Sequence, residues 1–230
     1  MNNIVFIDSR VAGYQTLIDG LKPGTEWFLI DGQSAGIDQI STFLRGRTGI
    51  DALHIFSHGG EGSLFLGNSV LNVNNLGDFR GQLREMGACL NESADILLYG
   101  CDVAAGDRGL QFIRALAETT GADVAASNDA TGWTELGGNW ALESTTGSID
   151  VSIPLDAASQ ANFHGTLSWY DTLSNDALKN LIVQDLTDNV FSYQEVLTLL
   201  NTASLSGVSS SEFSDLTTFS QNATNLYAND

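Results

Sequence analysis

Short apolar runs alternate with helix-like patterns through the first half of the chain, and this alternation constrains the fold most. Five runs have the length of a buried strand: Ile4–Ile7, Trp27–Ile30, Leu53–Phe56, Ile96–Tyr99 and Asp123–Ala126. Apolar spacing near 3.6 predicts helices over 11–21, 36–46, 74–88 and 107–120. Because strands that alternate with helices form a mainly parallel sheet covered on both faces, the sequence predicts an α/β fold.

Two further segments are predicted to form hairpins. Residues 62–71 place Gly67 and Asn68 at a turn between two short apolar runs. After Trp133 the pattern changes, and the segments 137–143 and 147–153 are predicted to be the strands of a second hairpin.

The composition changes near residue 165. The part that follows is rich in Ser, Thr and Asn, and Lys179 is the single basic residue of residues 151–230. We therefore predict an α/β domain over 1–165 and a polar helical appendage over 166–230. Its predicted helices lie at 174–186, 192–202 and 210–228. This appendage either packs on the core or begins a further domain, and its abrupt end favours a fragment or a processed product.

The charge balance excludes several classes of partner. The 230 residues contain 9 Lys and Arg against 28 Asp and Glu, which gives a net charge of −19. Nucleic-acid binding requires a basic surface, so it is not expected. Every apolar run is far shorter than the roughly 20 residues that span a bilayer, so no membrane insertion is expected. The N-terminus has no basic region before its apolar run, so no signal peptide is visible.

Reactive side chains follow two of the predicted strands. The third strand leads into Ser57-His58-Gly59-Gly60, and the fourth leads into Gly100-Cys101-Asp102. In open α/β sheets, ligands bind beyond the carboxyl ends of the strands. If these two strands are neighbours, the imidazole and the thiol face one site. There the imidazole can favour the thiolate and later protonate a leaving amine. The backbone N–H groups of Gly59 and Cys101 are then the expected oxyanion donors.

These residues resemble those of the cysteine peptidase clan that contains caspases, gingipains, legumain, clostripain and separase. Members carry His-Gly after one hydrophobic strand and Cys after the next, as in Leu53–Gly59 and Ile96–Cys101 here. A closer resemblance, over residues 3–165, is to an uncharacterised domain near the N-terminus of large bacterial surface or secreted adhesin-like proteins. It rests on His58-Gly59, on Tyr99–Ala104, and on Gly137-Gly138-Asn139-Trp140 with Glu143. The resemblance implies a caspase-like three-layer sandwich and a His58/Cys101 dyad. It also implies a secreted or surface location within a larger bacterial protein.

The chain departs from the caspase pattern in ways that limit the specificity. Gly100 stands where caspases have Ala before the Cys, and the Gln-Ala-Cys signature is missing, so cleavage after aspartate has no support. Asp102 and Trp133 are the candidate substrate-pocket residues. The alternatives are a solvated acidic loop for Asp102 and hairpin packing for Trp133.

The remaining histidines and cysteine have simpler interpretations. His54 is expected to be a core or sheet-face residue, and His164 a linker residue that is the only rival imidazole for Cys101. Cys89 is expected to be a small buried hydrophobe, although a disulfide to Cys101 would silence the nucleophile.

No cofactor is required by this chemistry, but calcium binding is left open. Asp8 and Asp31 stand at strand ends, where they would either bind calcium or cap the next helices. No contiguous calcium-binding loop is visible in the sequence.

The leading hypothesis is a cysteine endopeptidase, a hydrolase whose polypeptide substrate is its own parent chain or a secreted or surface protein. Cys101 attacks the scissile carbonyl, and His58 is the general acid–base. The alternative is a non-catalytic structural or adhesion module that retains the fold. Another thiol chemistry, such as acyl transfer, would use the same dyad.

Overall fold

The computed structural model describes residues 2–172 and the isolated positions Thr198, Asn201, Ser209, Ser210 and Phe213. By its internal contacts the chain divides into two units, Met1–Trp169 and Tyr170–Asp230. The three helices predicted beyond residue 173 lie outside the described residues, apart from those isolated positions. The division into 1–165 and 166–230 stays a prediction, although the first unit extends to Trp169.

Strands and helices alternate along the first unit, as the apolar pattern predicts. In chain order the elements are β1 Asn3–Asp8, α1 Tyr14–Asp19, β2 Glu26–Ile30, α2 Gly36–Leu44, β3 Ile50–Phe56, β4 His58–Gly60, β5 Ser63–Leu66, β6 Ser69–Asn72, α3 Arg80–Ala88, β7 Leu90–Tyr99, α4 Gly106–Thr120, β8 Asp123–Ala126, β9 Ser144–Thr145 and α5 Ala157–Asn162.

A six-stranded sheet forms the centre of this unit. Its order is β2-β1-β3-β7-β8-β9, and every pair is parallel except β8 with β9. A separate antiparallel sheet contains β4, β5 and β6. The predicted mainly parallel α/β architecture is therefore confirmed.

Each central strand sends alternate side chains to opposite faces of the sheet. In β1, Phe6 joins a cluster that packs against α2, α3 and α4, whereas Ile7 joins a second cluster. This second cluster receives Leu17 of α1 and Phe163, which follows α5. Apolar layers thus cover both faces of the sheet, which is consistent with a three-layer sandwich.

Two local predictions are wrong. The second hairpin, predicted over 137–153, contributes only the two-residue strand β9. Asn139 instead bonds to the preceding loop, because its N–H donates to Ala130 O and its carbonyl accepts from Gly132 N. These bonds take up backbone groups that a hairpin ladder would need.

The helix predicted over 74–88 begins only at Arg80. The preceding asparagines form turns, in which Asn72 Oδ1 accepts from the N–H groups of Asn74 and Asn75. Asn side chains compete for backbone groups in this way and so delay helix initiation.

Candidate functional site

The central strands β3 and β7 are neighbours, as the predicted site requires. They pair in parallel with Phe56 opposite Tyr99, and the N–H of Ser57 donates to Tyr99 O at 3.2 Å. His58 and Cys101 each follow the end of one of these paired strands by two residues. Cys101 packs in the same apolar cluster as Phe56 and Tyr99.

Glycine at position 59 allows the segment after β3 to approach the segment after β7 closely. A Cβ built there would lie 2.6 Å from Val103 Cγ2 and 2.7 Å from Cys101 O. On the opposite side, a Cβ on Gly100 would lie 3.1 Å from Gly59 Cα. A side chain on Gly59 would therefore force the strand that carries His58 away from Cys101.

The two predicted oxyanion donors converge on one carbonyl oxygen of the chain itself. Leu167 O accepts from Gly59 N at 2.9 Å and from Cys101 N at 3.3 Å. Two backbone N–H groups directed at one oxygen are the arrangement that stabilises a tetrahedral oxyanion. The sequence predicts both donors but contains no signal for Leu167.

The Cys101 thiol is fully buried beside the loop at residue 131. Its Sγ accepts from Thr131 N at 3.2 Å and lies 3.6 Å from Thr131 O. Burial raises the pKa of this thiol to about 11, although hydrogen bonds from the Ser168 side chain and from Thr131 N–H act in the opposite direction. The sequence predicts a sulfur close to its thiolate form, whereas in this structure the neutral thiol is favoured because the site is covered.

The His58 imidazole is also buried, with 2% of its surface exposed. Its Nε2 lies 3.1 Å from Arg10 O. A carbonyl can only accept a hydrogen bond, so we assign the proton of the neutral ring to Nε2. Nδ1 then holds the lone pair that a general base requires.

Asp8 supports the loop that carries this carbonyl. Its carboxylate accepts from Arg10 N at 2.8 Å and from Gly67 N at 2.6 Å. Burial raises the pKa of Asp8, while these two bonds and the charges of His58 and Arg10 lower it. The position of Asp8 in the sequence indicated calcium binding or a helix cap, but the sequence contains no signal for this contact between the strand end and the hairpin turn.

The two predicted pocket residues contact different parts of the chain near Thr131. Asp102 has a left-handed backbone, with φ of 59°, and its N–H donates to Asp129 O at 2.8 Å. Burial raises the pKa of Asp102 to about 6, and the charges of Asp129 and Glu61 add to the effect. Trp133 donates its N–H to Gly165 O at 2.8 Å. Their role in substrate selection stays a prediction.

His54, His164 and Cys89 lie as the simpler interpretations expect. His54 is fully buried, with Nδ1 3.4 Å from the Tyr99 hydroxyl. His164 is exposed, and its ring centroid lies 4.6 Å from that of Trp133. Cys89 is buried and its Sγ contacts Leu44 O at 3.3 Å, so it forms no disulfide with Cys101.

The structure leaves calcium binding a prediction. Within the part of the chain that is described, no three or more His, Cys, Asp or Glu side chains form a group that could hold a metal ion. Asp31 accepts from Gln33 N at 3.0 Å, which is a local turn contact. Among these same residues, no helix is both long and apolar enough to cross a bilayer.

Comparison with known proteins relates most of the chain to a described family. The profile of a family described as "Domain of unknown function (DUF4347)" matches residues 4–167, well over half of the chain. No curated protein matches the chain. A solved structure described as "Crystal structure of a small-chain dehydrogenase" is similar with 8% identity and a TM-score of 0.29, over 52% of this chain and 76% of that chain. That similarity is too weak to support any conclusion.

Proposed function

Because the chain belongs to the DUF4347 family, whose description assigns no activity, we propose from the geometry of the site that it is a cysteine endopeptidase with a His58/Cys101 dyad. The observation that carries this proposal is the convergence of Gly59 N–H and Cys101 N–H on one carbonyl oxygen. One of these donors is the N–H of the residue that would act as the nucleophile.

In the proposed reaction, His58 accepts the thiol proton as Cys101 Sγ attacks a peptide carbonyl carbon. The developing oxyanion is held by the N–H groups of Gly59 and Cys101. Transfer of the proton during attack suits a thiol whose pKa is raised to about 11 by burial, since little free thiolate exists at neutral pH. Arg10 O keeps the imidazole oriented throughout.

The finer assignments belong to the same proposal. His58-Gly59 after β3 and Cys101 after β7 support a caspase-like arrangement of the α/β sandwich. The polypeptide substrate is the parent chain or a neighbouring surface protein, and the protein is secreted or held at a bacterial surface as part of a longer chain. Calcium is a candidate activator and not a required cofactor.

The alternative is a non-catalytic module that retains the fold. Its support is the complete burial of Cys101, whose sulfur is held by Thr131. A module of this kind would leave Cys101 as unreactive as the other buried cysteine, Cys89.

Labelling with a peptidyl acyloxymethyl ketone, which alkylates activated cysteines, distinguishes the endopeptidase from the non-catalytic module. The full chain is treated with the reagent, and the modified residue is identified by peptide mass spectrometry. An endopeptidase gives an adduct on Cys101 and none on Cys89, and the adduct is lost in His58→Gln. His164→Gln is the matched control, because that imidazole is exposed, and it should be labelled like the wild type. Labelling that His58→Gln leaves unchanged would refute the endopeptidase. So would absence of a Cys101 adduct both in the wild type and in Gly132→Ala, where an added Cβ would meet Gly165 O and open the covered site.

A further inference from the structure

The segment Gly165–Ser168 lies across the candidate site as an additional strand. Its pairing with the Thr131–Trp133 loop is antiparallel: Leu167 N donates to Thr131 O at 2.9 Å, and Trp133 N donates to Gly165 O at 2.8 Å. On its other side, Ser168 forms a bridge with Gly59. Main-chain bonds on both sides hold an extended peptide in one register, as in recognition by strand addition.

This register places one peptide bond at the reacting groups. The carbonyl oxygen of Leu167 occupies the position between the two oxyanion donors. The Ser168 side chain is close enough to the Cys101 thiol to lower its pKa, so the sulfur lies near the residue that follows this carbonyl. The bond between Leu167 and Ser168 therefore lies where a scissile bond would be bound.

The side chain before that bond is held in an apolar pocket. Leu167 is fully buried and belongs to the same hydrophobic cluster as Cys101, Tyr99 and Phe163. An apolar pocket accepts a leucine but penalises a charged residue, which would lose its hydration there. This environment also argues against cleavage after an acidic or basic residue.

We propose that the Leu167–Ser168 peptide bond is the intramolecular substrate of this protein, which cleaves its own chain after leucine. The proposal rests on the endopeptidase function proposed above. The stretch that matches the family profile also ends at residue 167.

The cleavage balances with water as the only co-reactant. Cys101 Sγ bonds to the Leu167 carbonyl carbon while its proton passes to His58, and the carbonyl electron pair moves to the oxygen. Collapse of this intermediate breaks the C–N bond, and His58 returns the proton to the departing Ser168 amine. Water then attacks the thioester, losing a proton to His58. The C–S bond breaks as His58 returns this proton to the sulfur, which regenerates the thiol, and the Leu167 carboxylic acid releases its remaining proton to solvent.

Intact mass spectrometry of the purified full chain, followed over time, tests the proposal. The expected products are a fragment that ends at Leu167 and a fragment that begins Ser168-Trp169-Tyr170, as read by N-terminal sequencing. Cys101→Ala should remain intact. Cys89→Ala is the matched control, because it also removes a buried thiol and should still be cleaved.

Substitutions at Leu167 test the specificity independently of the nucleophile. Leu167→Met keeps a flexible apolar side chain and should be cleaved at a rate within about tenfold of the wild type, since volume-conserving apolar changes are tolerated. Leu167→Asp should abolish cleavage. Circular dichroism of each variant, compared with uncleaved Cys101→Ala, shows whether the fold is retained, and the Met variant keeps the test valid if the Asp variant fails to fold.

The outcomes separate this proposal from the one on which it rests. Fragments with ends at any other bond, absent in Cys101→Ala, would leave the endopeptidase standing and overturn the Leu167–Ser168 site. An intact chain whose Cys101 reacts with the acyloxymethyl ketone would likewise leave the endopeptidase standing and overturn the Leu167–Ser168 site. An intact chain whose Cys101 is unreactive both in the wild type and in Gly132→Ala would overturn both proposals.

Discussion

At the scale of single residues, the candidate site depends on two backbone N–H groups more than on any side-chain contact. The donors belong to Gly59 and Cys101, and their spacing depends on a glycine that lets two strands touch. Since Cys101 O and Gly100 C lie within 3 Å of a Cβ at position 59, the space is closed by backbone that cannot rotate away. A methyl group at position 59 therefore cannot be accommodated unless the backbone shifts.

Gly59→Ala should lower the rate of self-cleavage by roughly 100-fold or more, the usual cost of losing one oxyanion donor. The adjacent Gly60→Ala is the matched control, because its Cβ would meet only Trp169 Cδ1 at 3.6 Å and Phe65 Cε2 at 3.9 Å. Quantitative mass spectrometry of the fragments over time measures both rates. Equal rates in the two variants would contradict this account of the oxyanion donors.

At the scale of elements, the loop Thr131–Trp133 and the segment Gly165–Ser168 act as a pair of short strands that cover the thiol. The loop supplies both the N–H that bonds to Cys101 Sγ and the groups that bind the segment. Gly132 has φ of 130°, and a Cβ there would meet Gly165 O and Thr166 Cα. The close pairing of these elements thus requires glycine at position 132.

Gly132→Ala should displace the segment Gly165–Ser168 from the site, so that self-cleavage slows. Alkylation of Cys101 by iodoacetamide should become faster, because the thiol is less covered. Gly121→Ala is the control, because Gly121 also has a positive φ, 79°, but a Cβ there meets nothing within 4 Å. Alkylation is followed by peptide mass spectrometry. A Gly132→Ala protein that is cleaved like Gly121→Ala, with Cys101 still protected, would show that the pairing has no part in presenting the bond.

At the scale of the whole molecule, the net charge of −19 and a buried histidine both make stability depend on solution conditions. Burial lowers the pKa of His54 to about 4 from its ordinary 6.5. Between these values the unfolded chain binds a proton that the folded chain does not. The free energy of unfolding therefore falls as the pH falls through this window.

Acidification from about pH 6.5 to about pH 4 should lower the free energy of unfolding of the protein by about 3 kcal/mol through the protonation of His54 alone. His54→Leu should remove this dependence, whereas His164→Gln, an exposed histidine, should keep it. Urea denaturation at both pH values measures the effect. Asp102 acts in the opposite direction, because its raised pKa makes the folded state bind the extra proton, so the comparison must be between variants. Parallel pH slopes for wild type and His54→Leu would refute the assignment.

The local patterns of the sequence determined most of the strands and helices and pointed to the candidate reactive residues. Apolar runs of strand length, separated by helical spacing, were sufficient to predict the parallel strands that carry His58 and Cys101. The chemistry of imidazole, thiol and glycine was sufficient to select the candidate dyad and the two oxyanion donors. Prediction failed where backbone bonds to a distant loop outweighed local preference, as at Asn139.

Only the tertiary structure decided which segment covers the candidate site and which protonation state of the Cys101 thiol is favoured. The contacts of Leu167 with Gly59, Cys101 and Thr131 join parts of the chain that are remote in sequence, and no local pattern encodes such pairing. No local pattern encodes the contact of Arg10 O with the His58 ring either, or the burial that raises the pKa of Cys101 to about 11. Hydrogen bonds and desolvation depend on which groups meet in space, whereas strand and helix signals depend on neighbours along the chain.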